Sequence, residues 1–533
     1  MASNKRIAAG IGIAVVLALI GVVAVAAGGG DDDTDDTTAV DVEGGDSSEL
    51  PGPGEPGSES TTTLPGLTPA GEEPTVTTAA PGGTGVTLPG QTTPAPPCTP
   101  KDVKGTGISK SEVVIGQIVS DVSVLPAQLY PNHEGLQAYV NVVNQAGGVC
   151  GRKLRIEYSN DQANPATHDY QAMSRRVFAF VANSSLQDSA DYETEAPFNP
   201  RFKDGDEFVP DVGGLAYSYY RAHSPWHAGV IGSISPALTG GLPFKYMVDK
   251  AKAEGRPCRK AGVVYLREPT GASEDSGRAG GVALAADWGG NFGSDNVEYF
   301  VRNLADPVVV YEQMVTEMVA KGVNCAFTYA DLGSNINLVR ALANRGVWPP
   351  DKCSGPQCFS VVYIPFAGYD PKFIRDAGDA SKSTYTFIPH IPLNETPPVM
   401  QQYLNALKSV RNAEPSTFSL IGWTSGQMFV QALQSCGAAP TRNCVMEYLR
   451  KLENFDAGGL QGPITPFRST RVDCSSGCGS FAGRGTYNFK WIFNCNVALQ
   501  VLDRGGKRDF FRVSPAQGYT CDPNLKVVRG KAA

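Results

Sequence analysis

Basic patches, histidine and catalytic signatures are all scarce in this 533-residue chain. Only 18% of the residues are charged, and five are histidine. There is no G-x-S-x-G elbow, no G-x-x-x-x-G-K-S/T loop and no G-x-G-x-x-G between a strand and a helix, so the common hydrolase, triphosphate and dinucleotide signatures are missing. The one histidine pair at i, i+4 spacing, His223 and His227, has Pro225 between its members, which disfavours a helix presenting both rings to a metal; solvated loop histidines are the expectation. Glu274 and Asp275 are adjacent and read as the start of a helix, where acids suit the dipole, not as an acid pair. The cysteines lack the paired C-x2-C spacing of zinc ribbons. We expect no enzyme, no metal site and no cofactor.

Residues 28 to 100 contain no Lys or Arg but thirteen Asp or Glu. Setting these aside, together with Lys5 and Arg6, turns a formal charge of −8 for the whole chain into +3 for residues 101–533. A nearly neutral body without a basic stripe argues against a nucleic-acid partner. A hydrophobic content of 41% is ordinary for a globular body and too low for a polytopic membrane protein.

What is present begins with one apolar run. Ile7 to Ala27 is uncharged and, at about 1.5 Å per residue, long enough to cross the ~30 Å of bilayer hydrocarbon. Lys5 and Arg6 ahead of it and Asp31 to Asp36 behind it place the N-terminus inside and the rest outside. Two readings stay open for residues 1–27: a transmembrane anchor, or a signal peptide cleaved after Ala24-Val25-Ala26. The first cysteine is Cys98, too far on for acylation directly after the run. The expected location is extracytoplasmic, either anchored at the cell surface by the N-terminal segment or secreted after cleavage.

All twelve cysteines lie from Cys98 onward, and an even number in an exported chain points to disulfides. Cys353 and Cys358, Cys436 and Cys444, and Cys474 and Cys478 each bracket a short turn and are the candidate local pairs. Residues 28–100 are rich in Gly, Pro, Thr and acid, cannot bury enough apolar surface to offset chain entropy, and are expected to form a disordered stalk.

From Val113 short Val/Ile-rich runs alternate with amphipathic helical stretches, the signature of βα units and parallel sheets. Strands are expected at Val113–Val119, Leu154–Tyr158, Val177–Ala182, Ala228–Ile234, Ala261–Leu266, Val297–Val301, Val323–Tyr329, Phe359–Ile364 and Tyr385–Ile388. Helices are expected at Glu134–Gln145, Pro307–Lys321, Asn335–Arg345, Pro398–Val410, Phe418–Ser435 and Thr441–Leu452, with a strand pair around Tyr487–Leu502. That is too many strands for one short sheet, and two α/β lobes fit best.

The runs Val113-Val-Ile-Gly-Gln, Glu134-Gly-Leu-Gln-Ala-Tyr-Val, Asn144-Gln-Ala-Gly-Gly-Val-Cys-Gly-Arg-Lys-Leu and Asn160-Asp-Gln-Ala-Asn-Pro, followed in order by Lys321-Gly-Val-Asn, Arg340-Ala-Leu-Ala-Asn-Arg-Gly, Asp376-Ala-Gly-Asp-Ala, Leu452-Glu-Asn-Phe and Gly462-Pro-Ile-Thr, resemble the leucine/isoleucine/valine-binding group of ABC-transporter solute-binding proteins. The resemblance covers about residues 108–505. It implies the type I periplasmic-binding-protein fold, an α/β fold of two doubly wound lobes joined by a three-strand hinge. Lobe 1 would comprise residues 101–256 and 386–458, and lobe 2 residues 257–385 and 459–533. The implied function is capture of a small organic solute, an amino acid or a related polar or carboxylate compound, between the lobes and its delivery to an ABC permease, by a monomer. A membrane-tethered sensing or surface-interaction module on the same fold is the alternative.

Ligand positions carried over from the resemblance are Ser184 and Ser185 for a ligand carboxylate, Ala216 and Tyr217 for the backbone and aromatic wall, and Thr270 and Asp331 from the second lobe. Where amino-acid binders of the group place an acid for the ligand ammonium, this chain has Phe366. Asp331 is the one substitute in reach, so branched-chain amino acids are expected to bind poorly.

Overall fold

The computed structural model describes residues 87–89, 91, 98–122, 129–188, 208–216, 221, 226–230, 241–267, 273–274, 277–278, 281, 294–304, 306–466, 486–490, 495–521 and 527–531. The chain opens with β1 (Glu112–Val119), α1 (Pro131–Gln145), β2 (Lys153–Asn160), the short α2 (Tyr170–Ser174), β3 (Ala179–Val181), β4 (Asp211–Val212) and β5 (His227–Ala228). Then come α3 (Gly241–Ala253), β6 (Ala261–Arg267), β7 (Val297–Asn303), α4 (Val308–Ala320), β8 (Cys325–Tyr329), α5 (Leu332–Asn344), β9 (Val361–Tyr363), α6 (Pro371–Ala377) and β10 (Tyr385–Ile388). Three helices follow, α7 (Pro398–Leu407), α8 (Thr417–Ser435) and α9 (Arg442–Lys451). The last strands are β11 (Thr486–Lys490), β12 (Cys495–Arg504), β13 (Lys507–Ser514), β14 (Thr520–Cys521) and β15 (Val527–Lys531).

These strands form two main sheets. The first runs β2-β1-β3-β4-β5 and is parallel throughout. Its β1 is a nearly unbroken Val/Ile run with all but its first residue buried, as a strand covered on both faces must be. The second sheet runs β13-β12-β10-β9-β8-β6-β7. It is parallel from β7 to β10 and then turns antiparallel at β12 and β13. Gly505 and Gly506 form the two-residue β12–β13 turn with φ of 59° and 78°, and a tight hairpin turn with both centres left-handed favours glycine there.

The expected α/β architecture is therefore present, with strand and helix positions close to those read from periodicity. Three details differ. β12 pairs with β10 and β13, while β11 pairs with β15, so the expected strand pair within 487–502 does not form. β4 lies in a stretch expected to be loop, because two residues are too short to show alternation. Met247, Val248 and Ala251 of α3 pack with Ala261, Val263 and Tyr265 of the second sheet. The lobe boundary expected at 256/257 falls in the loop between α3 and β6.

Three segments cross between the sheets, and they bond to one another. Ile391 N–H donates to Leu460 O at 2.9 Å and Gly462 N–H to Pro389 O at 2.9 Å, and the Gln461 side-chain amide donates to Val230 O at 2.6 Å. His390, between them, is buried; Thr417 at the start of α8 lies 3.1 Å from its Nε2.

Helix α8 is buried on nearly every face and starts with a Ser416/Ser419 capping box. It crosses α1 backbone to backbone. A Cβ on Gly135 would stand 1.8 Å from Ser419 O, and one on Gly422 would stand 1.9 Å from Asn132 O. No side chain larger than hydrogen fits either place.

Five disulfides join described residues: Cys98–Cys150, Cys258–Cys325, Cys353–Cys358, Cys436–Cys444 and Cys495–Cys521. Two of the expected local pairs are among them; Cys474 and Cys478 lie outside the described residues. So do residues 1–27, and among the described residues no helix is long and apolar enough to cross a membrane. The expected stalk, 28–100, ends differently from its reading as wholly disordered. Leu88 is 4% exposed within the main core, Pro89 O accepts from Gln427 Nε2 of α8 at 2.9 Å, and Gln91 bonds Gln434. One buried leucine in a polar segment carries no periodic signal, so composition concealed it.

Two outcomes follow. Gly135→Ala should destabilise the protein by at least ~1–3 kcal/mol in urea unfolding, although alanine in a free helix is ~1 kcal/mol better than glycine. A stabilised variant would show that the α1–α8 contact is looser than described. A chain started at residue 98 should unfold at lower urea than one started at residue 77, and Leu88→Ala in the longer chain should reproduce about 2 kcal/mol of that loss. Equal midpoints for the two chains would remove the strap's role.

Candidate functional site

In parallel α/β sheets the loops beyond the carboxyl ends of the strands, with their helix N-termini, are where ligands are met. In the first sheet that edge is built by Ser120 and Asp121 after β1, the first turn of α1, Tyr158 and Asp161 at the end of β2, and Asn183 to Ser185 after β3. In the second sheet it is built by Asp331 after β8 and by Phe366 to Lys372 after β9.

The serine loop is present where expected, but its bonding groups are engaged within the protein. Ser184 is fully buried, its N–H donates to Ile118 O at 2.8 Å, and its hydroxyl pairs with the Asn132 amide. Ser185 is buried too, and its hydroxyl donates to Asp161 while accepting from Gln187 N–H at 2.9 Å. Asp161 also accepts from Ser120 Oγ at 2.6 Å and Ala163 N–H at 3.0 Å, with His168 Nδ1 at 2.8 Å. Burial alone would raise the Asp161 pKa, but the bonds from His168, Ser120, Ser185 and Ala163 hold it below the ordinary carboxylate value. The loop thus does hold a carboxylate, and the carboxylate is the protein's own.

The next loop is closed in a similar way. Gly214 N–H donates to Ser425 Oγ at 2.9 Å and Leu215 N–H to Asn183 O at 2.8 Å, and Ala216 is buried. Buried Arg221 forks onto Asp211 at 2.7 and 3.0 Å and also donates to the carbonyls of Asn183, Leu215 and Gly213, so it sews the loops after β3 and β4 together. Burial would raise the Asp211 pKa, but Arg221 and His227 hold it well below the ordinary range. His227, expected as a solvated loop residue, is instead buried in β5 with Nδ1 3.1 Å from Asp211 Oδ2; a two-residue strand gave no pattern to reveal it. His223, Tyr217 and Thr270 lie outside the described residues.

On the second sheet, Asp331 caps α5, accepting from Ser334 N–H at 3.1 Å and from the Ser334 hydroxyl. Its carboxylate is committed to a helix end. Phe366 is 9% exposed, with its ring 6.1 Å from that of Phe418 at the start of α8, so it is a packing residue between the two halves. Asp370 caps α6 through Lys372 N–H at 2.7 Å, and burial first, then Glu414, raises its pKa despite that bond and the nearby Lys372.

Sequence reasoning missed the residues at the first turn of α1. The rings of Tyr130, His133 and Tyr158 meet at 4.3 to 6.0 Å. Beside them Glu134 is buried; burial, then Glu414 and, more weakly, Asp121 lift its pKa from the ordinary 4.5 to about 7, with Lys372 opposing. Lys372 stands on α6 beyond the second sheet and Glu134 on α1 over the first, so the two halves sense each other electrostatically. Pro131, at the first position of α1, and the acid three residues on were the available signals of a helix start with an acid in its first turn.

A sequence model of the periplasmic binding protein family matches residues 112–473. No curated protein matches the chain by sequence. Among solved structures, a solute-binding protein of an ABC transporter from R. palustris in complex with 4-hydroxybenzoate is similar at TM-score 0.56 and 13% identity, covering 78% of this chain and 98% of its own. A fatty acid ABC transporter substrate-binding protein from Thermomonospora curvata is similar at TM-score 0.55 and 14% identity over 77% of this chain and 94% of its own. The branched-chain amino acid transporter substrate-binding protein LivJ from Streptococcus pneumoniae, in complex with isoleucine, follows at TM-score 0.51 and 15% identity, over 76% of this chain and 100% of its own.

The raised Glu134 pKa has a definite sign in stability. A carboxyl that holds its proton more tightly when folded stabilises the fold fully below the ordinary 4.5, and this contribution is lost as pH rises through about 7. Relative to Glu134→Gln, the natural protein should therefore lose ~2–3 kcal/mol in urea unfolding across that window. Parallel stability curves would show that Glu134 ionises normally.

Proposed function

The chain belongs to the periplasmic binding protein family, and from that membership we propose that it is an extracytoplasmic protein that captures a small organic solute between two lobes and delivers it to an ABC transporter permease. The reading rests chiefly on one observation: two parallel sheets, bonded through three adjacent crossing segments, put the carboxyl edge of each within electrostatic reach of the other, Glu134 against Lys372. Hinge bending about such crossings closes a cleft on a solute. In this proposal lobe 1 is the first sheet with α7, α8 and α9, and lobe 2 is the second sheet with α3 to α6 and the β12–β13 hairpin.

Ser184, Ser185 and Ala216 on one side and Asp331 and Phe366 on the other border the cleft, with Tyr217 and Thr270 assigned to it by resemblance alone. The hydroxyls of Ser184 and Ser185 support the wall, since both are buried and engaged. A plain α-amino acid then finds neither of these two hydroxyls free for its carboxylate, and the carboxylate of Asp331 is engaged at the α5 N-terminus. The relatives' printed ligands, isoleucine and 4-hydroxybenzoate, bracket the chemistry to be tested.

Thermal shift and small-angle scattering on the exported chain, with a panel of amino acids, aromatic acids, phenols and amines, test this. At least one solute should raise the melting temperature and contract the particle, and leucine, isoleucine and valine should bind only above about 1 mM. A panel without any contraction would overturn solute capture, and micromolar leucine binding lost in Asp331→Asn would restore an amino-acid site centred on that residue.

A further inference from the structure

One group of side chains at the cleft edge is left without a task by the fold. Gln117, fully buried in β1, donates through Nε2 to the Ala182 carbonyl at 2.9 Å, so its Oε1 can only accept. His133 Nδ1 lies 2.7 Å from that oxygen and must therefore carry the ring proton. Burial draws the His133 pKa down to about 4, which keeps the ring neutral and leaves Nε2 as a bare acceptor. Among the described residues Nε2 has no hydrogen-bond partner, and neither do the hydroxyls of Tyr130 and Tyr158.

The three rings make a half-buried corner. Tyr158 stands 4.3 Å from His133 and edge-on to Tyr130 at 6.0 Å. Rings in that arrangement offer faces and edges to another ring. The surrounding charge is acidic. Burial first, then Asp121 and Asp161, raises the Tyr158 pKa, and Glu134 and Asp121 act in the same direction on Tyr130. Among the described residues no Lys or Arg is bonded to the three rings; the one cation felt nearby is Lys372, acting on Glu134.

We propose that this corner receives the ring end of the solute and selects a ring bearing an O–H or N–H donor, neutral or cationic, over an aromatic carboxylate, with His133 Nε2 as the acceptor that reads the donor. The inference rests on the solute-capture reading and narrows its ligand class. A donor-bearing ring gains one hydrogen bond inside a partly desolvated site, while its O-methyl ether leaves Nε2 unpaired, and a site built around such a bond discriminates strongly. Among the described side chains of the corner, a carboxylate would meet Asp121 and find its donors in the two tyrosine hydroxyls.

The probes are 4-methylphenol and 4-ethylphenol, each against its O-methyl ether, which carries no donor, together with benzoate, titrated by calorimetry into the exported chain. Each donor-bearing probe should bind roughly tenfold or more tightly than its ether, with benzoate weakest. His133→Phe keeps a ring but removes the acceptor and should erase the difference within each pair. Should that variant fail to fold, the 15N imidazole spectrum of the natural protein decides, since His133 Nε2 should shift on adding 4-methylphenol and stay unmoved with its ether. Equal affinities within the pairs, no binding of either donor-bearing probe, or an unmoved Nε2 would overturn the inference. If other solutes still contract the particle, and do so equally in His133→Phe, solute capture stands and only this assignment falls; if nothing contracts it, both fall.

Discussion

The contact on which the rest depends is the crossing of α1 and α8, where Gly135 lies under the Ser419 carbonyl and Gly422 under that of Asn132. At that distance the two helices act as one rigid unit, because neither can rotate without driving a backbone atom into the other. Several groups of the candidate site are placed by this pair. The first turn of α1 presents Tyr130, His133 and Glu134, and the first turn of α8 presents Thr417 to the crossing segment at His390 and Phe418 to Phe366. Farther along α8, Ser425 holds the Gly214 amide and Gln427 holds the strap at Pro89.

Periodicity made most of this fold legible. The short runs at 113–119, 261–266 and 323–329, rich in apolar and β-forming residues, are buried on both faces, and such runs announce themselves in any sequence. The capping box at Ser416 and the proline at the head of α1 likewise act through neighbours in the chain. What stayed hidden depends on partners far along the chain. Cys98 finds Cys150 and Cys258 finds Cys325 only after the sheets exist. His227 becomes a core residue because Asp211, sixteen positions earlier, is brought beside it by two strands too short to register as strands.

At the candidate site the sequence pointed to the serine loop by residue type, and the bonding of that loop was hidden for one physical reason. Serine hydroxyls after a strand are suited to a carboxylate, and the residue type cannot say whose carboxylate it will be. Here β2 delivers Asp161 into the place. Once Asp161 is there, the hydroxyls of Ser120 and Ser185 are spent on it, and the groups left at this edge for the proposed recognition are the rings at the start of α1. The acceptor state of His133 follows from Gln117, whose role was invisible until β1 and β3 lay side by side.

The strap at Leu88 and the Cys98–Cys150 bridge give the two halves different mechanical standing. Both fasten the incoming chain to the α1/α8 half: Lys101 N–H bonds Ala438 O at 3.0 Å and Arg152 donates to the carbonyls of both residues. No described residue of the strap bonds the second sheet or its helices. Under the proposed hinge bending, a pull arriving through the residues ahead of Leu88 would be borne by the first half alone, as a stator, and the second half would turn about the crossing segments as an unloaded rotor. Tension on the leading chain would then leave the balance between open and closed cleft unchanged.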